Sequence, residues 1–489
     1  MRIGVLLIGL ALGLASSAVA QELPGAVRPA SEALASGDTA GAAVALLDVL
    51  DSTRQQSAHG AAWAMLGDVL AGQSHPQAAT VAFANALSSD TSQMQARLPI
   101  AIALAQQAGD LDALGRGALA GDLTVLSESP ARSTLAVSTA KAAIQQGDMA
   151  AAVAAADLVP NSHDAFVDAR VLRGIALSNQ QSYGDALASL LVADATVAED
   201  DQARKDWVKV NLARTYYASE NPLRAIEHYV QVSRGGDHWI HAHWERAWAH
   251  FVVDDMPGTL SLLRAYQTPF LEDVYLAEGD MLRIYAMFLM CKFPSAKVEL
   301  DTFQARYQPL LQELDQSMTS ATAQSAWSDV TSGTESRSLP NPLVEPFTNE
   351  GRMTAAVDLT ERIDAELASL LSSGAWGTRV ADMLVAYKAD TISREGERVL
   401  AQGRGMQTEL REWLGNADLT RLDILEYETK LLERAAITGE VDLGDRLGEL
   451  RGLRKRRGTR VWPASEEVWA DEVGYESVRT RSDCREDML

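Results

Sequence analysis

Gly60-Ala-Ala-Trp63-Ala-Met-Leu66-Gly67-Asp-Val-Leu70-Ala-Gly-Gln-Ser-His-Pro76-Gln-Ala-Ala79-Thr-Val-Ala-Phe83-Ala-Asn-Ala86 carries two apolar stripes of helical period separated by a short break. Trp63, Leu66 and Leu70 recur at i, i+3 and i+7, one face of a first helix; Ala79, Phe83 and Ala86 recur at i, i+4 and i+7, one face of a second. Gly72-Gln-Ser-His-Pro76 supplies the turn, because proline is tolerated at the first position of the helix that follows. Gly67, Ala79 and Ala86 are small, as they must be where two helices nearly touch. The stretch predicts a helical hairpin.

The same anchor recurs along the first 310 residues at Ala42, Ala79, Leu114, Ala152, Ala186, Ala225, Leu260 and Ala296. Gly37-Asp38, Gly109-Asp110 and Gly147-Asp148 mark turns four to five residues before their anchors. Gly174, Leu177, Ala186, Leu190 and Ala193 repeat the pattern closely, as do Leu212, Ala213, Tyr216, Ala225, Tyr229 and Val232. A fixed period of this length is the signature of a repeat array. The segment from Leu23 to about Tyr307 resembles the tetratricopeptide repeat family, whose units carry small residues at those positions. The resemblance implies an all-α fold in which about eight helix pairs over residues 21–310 stack into a superhelix with a concave groove.

The flanks read differently. Met1-Arg2 and an apolar run to Ala15 precede Ser16-Ser-Ala-Val-Ala20, the charged, apolar, small-residue order of a secretory signal peptide over residues 1–20. Cleavage near Ala20/Gln21 and a periplasmic or secreted chain with no transmembrane segment are expected. Eleven of the 22 residues from Ser317 to Ser338 are Ser or Thr, and three prolines follow, so residues 311–352 read as a flexible linker. Ala355, Leu359, Ile363, Leu367 and Leu370 restore a helical stripe, and residues 353–440 predict a long helical hairpin broken at Gly374-Ala-Trp-Gly377. Asp418 is placed as a cap of the last helix. Heptads are too short-lived for a dimeric coiled coil. Residues 441–489 form a basic, aromatic tail with six Lys/Arg between Arg451 and Arg460.

The chain has 489 residues, with 43 Lys+Arg against 66 Asp+Glu and a formal net charge of −23. So acidic a chain does not track nucleic-acid backbones. Cys291 and Cys484 are its two cysteines, which excludes a thiolate metal cage. After export the pair has three fates: a disulfide folding the tail onto the last helix pair, two free thiols, or a bond from Cys484 to a partner. His238, His241 and His243, with Asp237, have some of the makings of a metal site, but a loop entering a helix accounts for them as well, and no metal or cofactor is expected. No nucleophile elbow, zinc-protease helix, phosphate loop or dinucleotide fingerprint occurs.

Groove-facing positions include Asp168, Ile175, Asn179, Trp207, Asn211, Arg214 and Tyr217, where a peptide would bury side chains against Trp207 and Tyr217. The carboxylate clamp of Lys and Asn found in tetratricopeptide proteins is not reproduced. Ala247-Trp248-Ala-His-Phe251, Met290-Cys-Lys-Phe-Pro-Ser-Ala296 and the tail Trp462-Pro through Val-Trp469-Ala-Asp-Glu-Val-Gly-Tyr475 to Ser482-Asp-Cys484 resemble exported tetratricopeptide proteins of gliding and predatory bacteria. The resemblance implies a non-enzymatic scaffold for other envelope proteins or peptides, in a motility or transport assembly. Arg451–Arg460 offer a contact for an anionic envelope polymer or acidic partner. The alternative is a cell-wall enzyme on an α-superhelix, similar in outline to lytic transglycosylases.

Overall fold

The computed structural model describes residues 24–271, 274–332, 337–438, 473–475 and 477–484. The segment read as a signal peptide, Arg451–Arg460, Trp462 and Trp469 lie outside the described residues. Among the described residues the fold is all-helical, with no strand. The first sixteen helices are α1 (Arg28–Ala35), α2 (Thr39–Leu50), α3 (His59–Gly72), α4 (Pro76–Ser89), α5 (Leu98–Ala108), α6 (Leu111–Ala118), α7 (Pro130–Gln146), α8 (Met149–Asp157), α9 (Phe166–Asn179), α10 (Tyr183–Thr196), α11 (Gln202–Ala218), α12 (Pro222–Tyr229), α13 (Trp239–Val252), α14 (Met256–Arg264), α15 (Ala277–Leu289) and α16 (Phe293–Ser317). Four more follow: α17 (Ala323–Thr331), α18 (Asn341–Thr348), α19 (Gly351–Leu371) and α20 (Ala375–Thr438).

One turn joins the helices of each odd–even pair from α1/α2 to α15/α16. A single left-handed residue ends the first helix: Gly37, Ser74, Gly109, Gly147, Gln181, Glu220, Asp254 and Cys291, with φ from 58 to 81°. The next residue sends its N–H back to the carbonyl five positions earlier. These bonds are Asp38 to Ala33, His75 to Leu70, Asp110 to Ala105, Asp148 to Ala143, Ser182 to Leu177, Asn221 to Tyr216, Asp255 to His250 and Lys292 to Met287, all 2.9–3.0 Å. That is the Schellman closure, which satisfies carbonyls a helix end would otherwise leave open. In four pairs an aspartate at this place also caps the second helix: Asp38 accepts from Gly41, Asp110 from Ala113, Asp148 from Ala151 and Asp255 from Gly258.

Packing follows the turn. Seven of the anchors lie five residues after the left-handed residue and are buried. In the seventh pair that position is Thr259, fully buried, so Leu260 is displaced by one. Threonine fits because its hydroxyl donates to the Asp255 carbonyl at 3.0 Å. On the facing helix a Cβ at Gly67 would overlap the Phe83 ring, and one at Gly174 would overlap Leu190. Both glycines stand seven residues before their turn residue, and both neighbours stand four after the anchor.

The chain divides into two compact units, one comprising the residues up to Arg204 with Glu350–Glu395, the other Lys205–Asn349 with Gly396 onward. The stretch read as a linker is not one: it holds the end of α16 and helices α17 and α18. Its serines and threonines work locally, since Thr322 and Ser325 cap α17 reciprocally. Trp327 is buried, and Asp329 accepts the N–H groups of Ser338 and Leu339. Nor do residues 353–440 form a separate hairpin. In the first unit α19 and the start of α20 pack on the helix pairs: Glu366 binds the start of α4, Arg362 donates to the Ala108 carbonyl at 3.0 Å, and Tyr387 bonds Asp110. In the second unit α20 runs along α16 through Lys297–Glu428, Arg421–Asp301 and Arg411–Asp315. Asp418 caps nothing, because it lies inside α20 and accepts from Gln304 at 2.6 Å. Among the described residues no helix is long and apolar enough to cross a membrane.

Candidate binding site

Two features of the second unit stand out, an aromatic cavity and a covalently fastened tail. The cavity, of about 460 Å³, is lined by Arg214, Tyr217, Tyr229, Trp244, Glu245, Trp248 and Glu278. Four helices supply them. Arg214 and Tyr217 come from the last turns of α11, and Tyr229 ends α12. Trp244 and Trp248 sit one turn apart on α13, so their indoles share a face, with Glu245 beside them. Glu278 opens α15.

Glu245 is fully engaged. Arg214 grips it bidentately, Nη2 to Oε1 at 2.6 Å and Nε to Oε2 at 2.9 Å, and the Tyr229 hydroxyl donates to Oε2 at 2.9 Å. Burial works against the Arg214 charge, but the Glu245 pair outweighs it and holds the guanidinium above its ordinary pKa. Burial pushes the Tyr229 phenol well up, and the Glu245 charge adds to it. Glu278 differs. Burial raises its carboxyl, and the nearby Glu409 and Glu245 charges push the same way, with only the Trp248 indole pulling back. Glu409 is itself raised by burial, with the neighbouring Tyr275 and Trp413 pulling back and Glu412 adding to the rise. The Tyr217 phenol rises through burial and then through Glu278. The buried Trp248 Nε1 is the group that steadies the Glu278 carboxyl, but it falls short of good hydrogen-bonding geometry.

The seven residues read from the sequence as groove-facing are divided between the units. In the first unit Asp168 is held by Arg204, whose Nε lies 2.7 Å from Oδ1 and Nη2 3.1 Å from Oδ2. Asn179 is exposed and turns back to its own helix, donating to the Ile175 carbonyl at 2.9 Å; Ile175 is half-buried. In the second unit Asn211 is buried and donates to the Trp207 carbonyl at 2.7 Å, while Trp207 is half-buried. Arg214 and Tyr217 reach the cavity wall. Sequence reasoning missed Tyr229, Trp244, Glu245, Trp248 and Glu278. The one signal was the Trp244/Trp248 spacing on a helix otherwise rich in alanine and histidine.

The tail is fastened at several points. Cys291 and Cys484 are joined by a disulfide across 193 residues of sequence. Next to it the Lys292 side chain, 1% exposed, places Nζ 2.8 Å from Asp483 Oδ2. Asp483 N–H donates to the Met290 carbonyl at 2.9 Å, and Val478 N–H to Ser261 Oγ at 2.8 Å. Val473 packs with Leu262, Leu263, Tyr266 and Leu276. Gly474, at φ 91°, lets the backbone pass so close to Trp239 that a Cβ would touch the ring.

The histidines serve this packing. His243 is buried against Trp239 and Tyr266, its Nε2 3.1 Å from the Leu262 carbonyl. Burial lowers its pKa to about 4, with Arg246 adding to the effect. His250 Nδ1 lies 2.8 Å from Asp255 Oδ2, and His228 stacks on Tyr216. Burial pulls His238 and His241 below the usual histidine range. Among the described residues no group of three or more His, Cys, Asp or Glu side chains is placed to hold a metal ion.

No protein-family model matches this chain, and no curated protein matches it in sequence.

Proposed function

We propose that the chain is an exported, non-enzymatic adaptor whose helix pairs are tetratricopeptide-like repeats, stacked as a superhelical segment within each unit. The observation that carries this reading is the turn shared by all eight pairs, with its left-handed residue and its bond five positions back. Elements that repeat one local geometry stack by presenting the same face to each neighbour, and such stacks offer long surfaces for other polypeptides. The Cys291–Cys484 disulfide supports an oxidising compartment outside the cytoplasm.

Photo-crosslinking from Tyr217 in the native host tests the reading. The expected result is a defined envelope polypeptide joined at that position and not from the exposed Val298. A chain that crosslinks to nothing from Tyr217, and sediments alone from gently solubilised envelopes, would overturn it. N-terminal sequencing should find the mature chain starting near Gln21.

One observation favours a second reading, a cell-wall hydrolase. The Glu278 carboxyl is raised by burial and stands beside Trp244 and Trp248, the kind of setting in which a general acid is found. Release of soluble muropeptides from purified peptidoglycan, abolished by Glu278→Gln, would establish it in place of the adaptor.

A further inference from the structure

We propose that the cavity between α11, α12, α13 and α15 receives a single cationic side chain, arginine or lysine, from a bound polypeptide. The inference deepens the adaptor reading and rests on it. Three observations lead to it.

The first is the wall. Tyr217, Tyr229, Trp244 and Trp248 surround one space, and the quadrupole of an aromatic ring presents negative potential at its face. Arginine and lysine also carry apolar stems that such walls cover.

The second is the charge balance. Arg214 is the one cation among the seven lining residues, and it is spent on Glu245. That pair cancels. Glu278 remains, with Glu409 close behind it, and among the described residues no cation is one of the groups acting on either. An anionic guest would meet uncompensated carboxylates, and an apolar guest would bury them further. A cationic guest relieves both.

The third is the unsatisfied indole. Trp248 Nε1 is a buried donor that leans on the Glu278 carboxyl without reaching good hydrogen-bonding geometry, so it still has a bond to gain. A free metal ion or simple ammonium offers it nothing. A polypeptide brings backbone carbonyls along with its side chain, and one of them completes this bond. The volume of about 460 Å³ lies within the roughly 300–1,000 Å³ range of small-ligand sites.

The test uses the full-length oxidised protein and four blocked tripeptides, acetyl-Gly-X-Gly-amide with X as arginine, lysine, norleucine or glutamate. Norleucine keeps the stem of lysine and removes its charge. Calorimetry should show saturable binding of the arginine and lysine peptides, with norleucine and glutamate weaker by about tenfold or more, the loss of one charge-assisted contact. Glu278→Gln should erase the gap between lysine and norleucine. Tyr217→Leu, at a half-buried position, should weaken both cationic peptides and serves if the first variant does not fold. Norleucine binding as tightly as lysine, or none of the four binding, would overturn the proposal. Failure of the adaptor reading looks different: cation selectivity in the cavity would persist while crosslinking from Tyr217 found no envelope polypeptide.

Discussion

The Glu366 carboxylate accepts the backbone N–H of Gln77 at 2.9 Å, 289 residues away in sequence, while its other oxygen accepts that of Ala78 at 2.9 Å. These are two of the orphan donors at the start of α4, whose own cap residue, His75, makes no side-chain cap bond. A residue of α19 thus does for α4 what Asp38, Asp110 and Asp148 do for their own helices. Glu366→Ala should destabilise the first unit by about 1–3 kcal/mol, because it leaves two buried donors open. Glu366→Gln should cost less, since it keeps one good acceptor. Urea unfolding followed by circular dichroism reads both, and an alanine effect within the ~0.5 kcal/mol of an ordinary surface change would refute the capping role.

The left-handed turn residues make a second prediction. Gln181 and Glu220 hold φ of 62° and 60°, where a side chain is strained and glycine is not. Gln181→Gly and Glu220→Gly should each stabilise by up to about 1 kcal/mol, and Gly147→Ala should destabilise by about 1–2 kcal/mol. Thermal melts of the three variants give the comparison. Equal losses in all three would mean that turn strain is not what these positions feel.

Lys292 is buried with one anionic partner, so Asp483→Asn should be costly, about 3–5 kcal/mol, because it strands a charge. Adding Lys292→Met to that variant should recover most of the loss, since an apolar side chain of similar length needs no partner. Cys484→Ser releases a closed loop whose constraint is worth up to about 5 kcal/mol on the chain-entropy account. Hydrogen exchange should locate the weakened region around Met290, Ser261 and Val473. Unchanged protection at Ser261 in the serine variant would show that the tail stays docked without its covalent bond.

His243 sets an acid sensitivity. Its folded pKa of about 4 lies below the ordinary 6.5, mainly through burial, with Arg246 and Arg234 adding and the Leu262 carbonyl opposing. Between those values the unfolded chain binds a proton that the folded chain does not. Stability is therefore complete above pH 6.5, falls as pH falls to about 4, and loses nothing further from this group below that, a total on the order of 3 kcal/mol. Glu278 and Glu409, both raised, have the opposite slope, with stability lost as pH rises through their folded values. The difference between wild type and His243→Gln isolates the histidine. Parallel melting curves for the two proteins from pH 7 to 4 would exclude the effect.

What could be read from the sequence was local. Leu66-Gly67 and Ala79-x-x-x-Phe83 mark a close crossing because glycine and alanine leave room that a neighbouring ring fills, and Gly67 lies against Phe83. Leu260 misled by one position because threonine, with a hydroxyl that its own helix can satisfy, occupies the close-contact place as readily as alanine. Residues 317–338 misled because serine and threonine count as loop formers in bulk, whereas Thr322, Ser325 and Asp329 each meet a particular backbone group. The cavity was half hidden. Arg214 and Tyr217 can be picked out from their helix face, but Glu278 gains its meaning only when α15 brings it beside Trp248. No spacing rule connects residues from four helices.

The closing bond at each of the eight turns involves only residues within six positions of one another. Excising the chain from one turn residue to its counterpart, Gly147 to Gln181 for example, would therefore splice two halves of equivalent hairpins without breaking any such bond. Such a splice would leave every remaining turn closed, while an insertion of two residues inside a helix would rotate the side chains after it in that helix by about 200°, off their face.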